Sequence, residues 1–283
     1  MSLSPDLEQQ IDRWFAEDIG DGDHTTLSTI PEQARGSAIL LVKDTGILAG
    51  MRVARAIFER FDPRLAMDPL LSDGAEIEPG DVAFRITGSA RSILQCERLV
   101  LNVMQRMSGI ATTTRTYVGR LEGTGARVLD TRKTTPGLRL LEKEAVRLGG
   151  GVNHRTGLYD MILIKDNHID FAGGIDRAIA GTRAYLKERN LGLKIEVEAR
   201  SLEDVRTILR TGGVDRILLD NFSPERTREA VALVGGAVET ESSGGITLDT
   251  IRAFGECGVD YISVGALTHQ IRSLDLSLKA DFQ

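Results

Sequence analysis

Five cations stand close along one stretch of chain: Arg132 and Lys133 in "LDTRK", His154 and Arg155 in "NHRTG", and Lys165 in "LIKDN". Arginine's planar fork matches carboxylate and phosphate oxygens, while lysine acts as a point charge. Scattered over loops, such residues would make ordinary surface ion pairs. Converging in one place, they call for an anion, because burying them unpaired is costly. An acidic set follows: Glu196 and Glu198 in "KIEVEAR", Asp220 in "RILLDN" and Glu241 in "ETESS". Residues two apart share a face of a strand, so Glu196 and Glu198 point the same way. Glu198 and Asp220, at strand ends, suit Mg²⁺, which takes one or two carboxylates and completes its shell with water and phosphate. Glu196 sits deeper and reads as structural; the same acids would also serve as partners for the lysines. "SSGGI" (Ser242 to Ile246) and "SVGA" (Ser263 to Ala266) place glycines after apolar runs. Backbone N–H groups can approach a phosphate there, and the first loop is expected to open into a helix whose dipole would help. His24 reads as a turn residue, His269 has no evident partner, and the histidines lack metal-ligand spacing. A Gly-x-Ser-x-Gly nucleophile elbow is absent, which argues against a serine hydrolase.

The elements that must position these side chains fall into two styles. The chain has 283 residues, enough for one large domain or a small one joined to a larger. Residues 1–110 mix an amphipathic start, the turn cluster "EDIGDGDHTT", and short strand-like runs punctuated by glycine. Pro79-Gly80-Asp81 signals a hairpin or turn. This part reads as a small α/β sandwich domain with antiparallel strands. "ILQCERLVLNVMQRMSGIATTTRTYVGRLEG" predicts a long helix, with Ser108-Gly109 a candidate interruption. From Arg127, strand and helix alternate: "RVLDTRK", "MILIKDNHI", "LKIEVEA", "RILLDN", "AVETESSGG" and "YISVGA" are six strands separated by helical stretches. Such alternation predicts parallel strands with right-handed crossovers. Ser201, with an acid three residues on, and Ser223-Pro224 mark two helix starts.

The reactive side chains gather at the C-terminal ends of these strands. A (β/α) barrel builds its site there, and so does a doubly wound sheet at its switch point. Polar ends on every strand favour the barrel. Six strands are fewer than eight, so the expectation is an incomplete (β/α) barrel of about six to seven parallel strands over 111–267, following the sandwich domain of 1–110. The tail 268–283 is expected to pack with the sandwich.

Composition narrows the partners. The net charge of −6 argues against a general nucleic-acid binder. Cys96 and Cys257 form no Cys-x-x-Cys pair and lie in helical patterns, which suits packing in a reducing cytoplasm. No apolar run is long enough to span a bilayer and no secretory leader is legible. The expectation is a soluble cytoplasmic protein.

"DTRKTTPGLRLLEKEAVRLGGGVNHRTGLYDMILIKDNHI", with "ERLVLNVMQRMSGIAT" before it and "EVE", "LLDNF", "ESSGGI" and "ISVGALTH" after it, resembles the quinolinate phosphoribosyltransferase family. The likeness runs from "EDIGDGDHTT" to the C-terminus. It implies a sandwich domain plus an incomplete barrel, and a homodimer in which one subunit's sandwich covers the other's barrel mouth. It implies transfer of phosphoribosyl from phosphoribosyl pyrophosphate to quinolinate, with decarboxylation, in NAD biosynthesis. By motif, Arg98 would reach quinolinate from the neighbouring subunit, and Arg132, His154 and Arg155 would hold its carboxylates. Lys133 and Lys165 would stand at the quinolinate–ribose junction. Glu198 and Asp220 would bind Mg²⁺ and the ribose hydroxyls, and Ser243, Gly244, Gly245 and Gly265 would cradle the 5-phosphate. Lys133, Lys165, Glu198 and Asp220 would be the catalytic set. Three rivals stay open: a phosphoribosyltransferase of the same fold acting on another aromatic acid, a Schiff-base aldolase with Lys165 as nucleophile, and a non-catalytic partner protein that kept the fold, against which the complete set of charged strand ends argues.

Overall fold

The computed structural model describes residues 5–281. In chain order it begins with α1 (Pro5–Ile19), α2 (His24–Thr29), β1 (Arg35–Val42), β2 (Gly46–Ile47), α3 (Met51–Phe61), β3 (Ala66–Pro69), β4 (Glu76–Ile77), β5 (Val82–Ser89) and α4 (Ala90–Arg120). Then come β6 (Arg127–Leu129), α5 (Arg139–Leu148), β7 (Ile162–Ile164), α6 (Asp166–Ala172), α7 (Ile175–Arg189), β8 (Ile195–Ala199), α8 (Leu202–Thr211), β9 (Arg216–Asp220) and α9 (Pro224–Val234). The chain closes with β10 (Glu239–Ser243), α10 (Ile251–Gly255), β11 (Tyr261–Ser263), α11 (Ala266–His269) and β12 (Leu276–Ala280).

Two compact units result. The first contains the chain through Thr113, residues 136–149, and Ile271 onward. Its sheet has the order β12-β1-β5-β3, with every pairing antiparallel. Buried positions alternate on β1 and a helix, α3, turns Val53, Ala54, Ile57 and Phe58 inward, as an amphipathic stripe must. Pro79-Gly80-Asp81 makes a turn and not a hairpin, because β4 pairs with β2 while β5 pairs with β1 and β3. His24 starts α2, which Asp23 caps by accepting from the Thr26 N–H at 3.0 Å. Residues 136–149 group here because α5 is tied to α4: fully buried Glu142 accepts from the Arg106 guanidinium at 2.6 Å.

Ser108-Gly109 does not interrupt α4, which runs unbroken for 31 residues. Both residues permit close approach instead. Buried Ser108 accepts from the Ala49 N–H at 2.9 Å. A Cβ on Gly109 would overlap the Arg272 carbonyl oxygen and lie 3.1 Å from Ser273 Cα. Gly109→Ala is therefore expected to destabilise the first unit by about 1–3 kcal/mol, as overpacking against backbone does. Gly119→Ala, on the same helix with open space around it, serves as the control in thermal unfolding and should be neutral or slightly stabilising.

The second unit comprises 114–135 and 150–270. Its six strands are all parallel, in the order β6-β11-β10-β9-β8-β7. The first strand bonds to the last, and the others follow in sequence. That is the cyclic order of a barrel; a doubly wound sheet would reverse at a switch point. A seventh position is marked by Val152, which bridges Leu129 in parallel. Among the described residues no pairing joins Val152 to β7, so the ring is incomplete. Helix starts follow their signals: Ser201 accepts from Asp204 N–H at 3.1 Å, and Ser223 from Arg226 N–H at 3.3 Å with Pro224 first in its helix.

Two expected elements are shorter than their sequences suggest. "MILIKDNHI" is a strand only to Ile164; Asp166 already begins α6, and the Lys165 N–H donates to His168 Nδ1 at 3.0 Å. "TLDTIRAFGECG" yields only the five-residue α10, preceded by a turn in which Thr247 N–H donates to Thr250 Oγ1 at 2.9 Å. The loop after β10 thus does not open directly into a helix. Cys257 falls in the turn after α10 and Cys96 in α4, both buried.

Candidate active site

Alternation along parallel strands decides which side chains meet inside the barrel. Register pairs Glu239 with Arg216, Glu241 with Leu218, and Ser243 with Asp220 across β10 and β9. Across β8 and β9 it pairs Glu196 with Arg216 and Glu198 with Leu218. Side chains two apart therefore climb the interior in layers towards the C-terminal strand ends.

The top layer opens into a cavity of about 850 Å³. Arg132, Lys133, His154, Arg155, Lys165, Asp220, Ser243, Gly244, Gly245 and Gly265 all line it. Arg132, Lys133 and Lys165 are exposed at its rim, so the free chain does not pay to bury them. Arg155 is half-buried; burial and the neighbouring Arg132 guanidinium both lower its pKa. Two guanidiniums that repel each other at one cavity form a site for an anion with two charges. Lys165 Nζ stands 3.8 Å from Glu198 Oε2. Burial, and then the Asp220 carboxylate, push the Glu198 pKa up, with Lys165 opposing. Paired hard oxygens that repel one another fit a divalent cation such as Mg²⁺. Arg98 lies exposed on α4, in the first unit, and does not line this cavity.

The glycine loop after β10 is shaped by its backbone. Gly244 has φ +99°, and a Cβ there would overlap the Asn221 side chain and sit 2.8 Å from the Asn221 nitrogen. Gly245 has φ +61° with open space around it. Only the first position is closed to a side chain on both counts. Gly244→Ala is expected to cost about 1–3 kcal/mol of local strain, and to raise the KM for the phosphate-bearing ligand far more than that for the other ligand. Steady-state kinetics with each substrate varied would show this.

Beneath the cavity lies a column of charge that the sequence reading does not assemble. His154 Nε2 is 2.9 Å from Glu196 Oε2 and 3.5 Å from Glu241 Oε2. Its Nδ1 accepts the Arg155 N–H at 2.7 Å, and its own N–H donates to Asp130 at 2.8 Å. The ring nitrogens thus face the barrel floor and the backbone, so His154 borders the cavity without aiming a donor at a carboxylate there. Burial pulls the imidazole pKa down and the two carboxylates pull it up; the Arg155 N–H on Nδ1 opposes them by favouring the neutral ring. Glu196 is fully buried, and the contact with His154 is short but off-line, leaving neither oxygen with a well-directed hydrogen bond. Burial, then Glu241, raise its pKa to about 7. Glu241 stays ionised despite burial, because His154, Ser263 and Arg216 draw its pKa down.

Arg216 anchors the column from below. It donates to Glu241 at 3.1 Å and to Glu239 at 3.0 Å, and lies 4.1 Å from the centre of the Tyr261 ring. Arg127 stacks on the same ring at 4.6 Å. His154, Glu196 and Glu241 bring three ligand atoms within 4.8 Å of one another, a donor set seen at metal sites. Arg216 already supplies positive charge to Glu241, so a cation has less to gain there than at Glu198 and Asp220.

The comparisons with known proteins agree with this geometry. The family model described as quinolinate phosphoribosyl transferase, N-terminal domain, matches residues 23–108, and that of the C-terminal domain matches 110–279. A chloroplastic nicotinate-nucleotide pyrophosphorylase [carboxylating] of Oryza sativa subsp. japonica is 44% identical over 98% of this chain and 78% of its own length. A probable enzyme of the same name from Bacillus subtilis (strain 168) is 43% identical over 96% and 92%. The crystal structure of NadC from Streptococcus pyogenes superposes with a TM-score of 0.93 at 39% identity, covering all of both chains. With both domain models matched in order along nearly the whole length, the chain belongs to the quinolinate phosphoribosyl transferase family.

Proposed function

We propose that the chain transfers phosphoribosyl from phosphoribosyl pyrophosphate to quinolinate and decarboxylates the product to nicotinate mononucleotide, as an enzyme of NAD biosynthesis. The observation that carries this is the convergence of Arg132, Lys133, Arg155 and Lys165 with Asp220 and two glycine loops around one cavity, with Glu198 behind Lys165 at 3.8 Å. The pyridine nitrogen attacks C1 of the ribose; the C1–N bond forms as the C1–O bond to pyrophosphate breaks. The C2 carboxylate then leaves as CO₂, its bonding electrons remaining on C2, which the adjacent cationic ring nitrogen stabilises until a proton from solvent arrives. Arg132 and Arg155 orient the two carboxylates, which is chiefly positioning. Lys133 and Lys165 stabilise negative charge that develops between the two substrates. The amides of Ser243, Gly244, Gly245 and Gly265 hold the 5-phosphate. Glu198 and Asp220 would hold Mg²⁺, which when bound offsets the charge of the leaving pyrophosphate.

The working unit in this reading is a cytoplasmic homodimer in which Arg98 completes the partner's site. Arg98 is exposed on α4, and the cysteines are buried and free; among the described residues no helix is long and apolar enough to cross a membrane. Phosphoribosyl pyrophosphate, quinolinate and Mg²⁺ together should give nicotinate mononucleotide, CO₂ and pyrophosphate in equal amounts, and chelating Mg²⁺ should stop all three. Product lacking either CO₂ or pyrophosphate would refute the reaction. Mixing inactive Arg98→Ala and Arg132→Ala proteins should restore about a quarter of the sites, since half of the dimers are hybrids with one intact site each. No recovery after subunit exchange would place Arg98 outside the partner's site.

A further inference from the structure

The column of charge under the cavity has no part in the transfer chemistry set out above, yet its geometry is specific. Glu196 is fully buried, and the imidazole Nε2 of His154 lies 2.9 Å from its carboxylate. Glu241, held from below by Arg216 at 3.1 Å, closes on the same nitrogen at 3.5 Å. The opposite nitrogen of that ring takes the Arg155 backbone N–H. Arg155 in turn reaches the Met161 carbonyl with its guanidinium at 3.3 Å and lines the cavity. A continuous series of contacts therefore runs from the barrel floor to the cation that faces the ligand.

We infer that Glu196 and Glu241 are positioning residues: they fix the His154 ring from below, and through it the Arg155 backbone, so that Arg155 is set for a carboxylate before the ligand arrives. This rests on the reading of the cavity as the quinolinate site. Two acids share the work because one alone leaves the ring free to rotate about its bond to the chain; two contacts on one nitrogen and a third on the other define its plane. The free energy of holding Arg155 in place is then met within the folded protein and not by the ligand. Ser243, Gly244, Gly245 and Gly265 make none of these contacts and Glu196 reaches the cavity only through His154, so a change at Glu196 acts on one substrate.

Glu196→Leu removes the acceptor at similar bulk, whereas Glu196→Gln keeps a carbonyl oxygen for His154. Two readouts apply to each: the two KM values, and the His154 Nε2 resonance in spectra of protein labelled with ¹⁵N-histidine, assigned with His154→Asn. Glu196→Leu is expected to raise the KM for quinolinate about tenfold and to leave that for phosphoribosyl pyrophosphate within about twofold, with the Nε2 resonance displaced. Glu196→Gln should displace the resonance less and keep a KM near that of the parent. Equal changes in both KM values, no change in either, or a Glu196→Gln protein as impaired as Glu196→Leu would overturn the inference. Where Glu196→Leu fails to fold, Glu196→Asp, which withdraws the carboxylate by one methylene, is read in the same way. Absence of turnover in the parent would count against the reaction, while the Nε2 resonance would still report whether Glu196 holds the ring.

Discussion

Arg132→Ala is expected to lower kcat/KM for quinolinate by roughly 10²–10³-fold while leaving the fold intact. Arg132 is exposed at the cavity rim, so its removal creates no buried void. What it loses is a charge-assisted, two-pronged contact to a carboxylate, with each such hydrogen bond contributing about 1.5–3 kcal/mol. It also leaves Arg155 to face two carboxylates alone. Lys is a poor substitute, because a point charge cannot engage both oxygens of a carboxylate in plane. Arg132→Lys should therefore recover only part of the loss. Unchanged thermal unfolding with a large kinetic defect would be the expected combination. A defect confined to phosphoribosyl pyrophosphate would assign Arg132 to the other substrate.

The largest stability effect is expected at Arg216, which does not itself line the cavity. Its side chain is largely buried between Glu239, Glu241 and the Tyr261 ring. Removing one partner of such a network leaves an uncompensated buried charge, a cost of about 3–5 kcal/mol. The burden falls on Glu241, which is 1% exposed and shares its environment with Glu196. At about 2–4 °C per kcal/mol for a chain of this size, Arg216→Met should unfold roughly 10 °C below the parent. Glu239→Gln is the informative contrast: its side chain is 35% exposed, so water can screen what Arg216 loses, and the cost should be under about 1 kcal/mol. Equal destabilisation by the two substitutions, measured by calorimetry, would contradict the description of the column as a buried network resting on Arg216.

Much of the architecture was legible because strand and helix alternate with clean punctuation from Arg127 onward. Ser201, Ser223 and Pro224 announce their helices, and each sits where its capping chemistry puts it. Polar strand ends pointed to the barrel mouth, and Arg132, Lys133, Arg155, Lys165 and Asp220 do meet there. Misreadings arose where an apolar run carried on past the element it belonged to. Ile169 continues the hydrophobic pattern of β7, but it is buried from a helix and not from a strand. Ile246 and Ile251 are both buried, yet a turn separates them, so the phosphate loop does not open directly into a helix.

The buried column was missed for a different reason. The rule that residues two apart share a face was applied to Glu196 and Glu198, but it holds equally for Glu239 and Glu241, and for Arg216, Leu218 and Asp220. Applied across all three strands in the register they adopt, it stacks Arg216 under Glu241 and Glu196. The contact with His154 was beyond that rule. It depends on a loop after Val152 that turns the ring inward, and no local spacing encodes such a path. The resemblance makes His154 a carboxylate-holding cation; in the structure it borders the cavity, with Nε2 beside Glu196 and Nδ1 taking the Arg155 N–H.

One measurement reaches the central claim most directly: purified protein with phosphoribosyl pyrophosphate and Mg²⁺, supplied with quinolinate in one reaction and nicotinate in another, with nicotinate mononucleotide quantified in both. A cavity lined by two guanidiniums that repel each other should use quinolinate and leave nicotinate essentially untouched, because a single carboxylate leaves one guanidinium facing the other without an anion. Nicotinate mononucleotide formed equally well from nicotinate would contradict that, and would place the paired cations outside substrate selection.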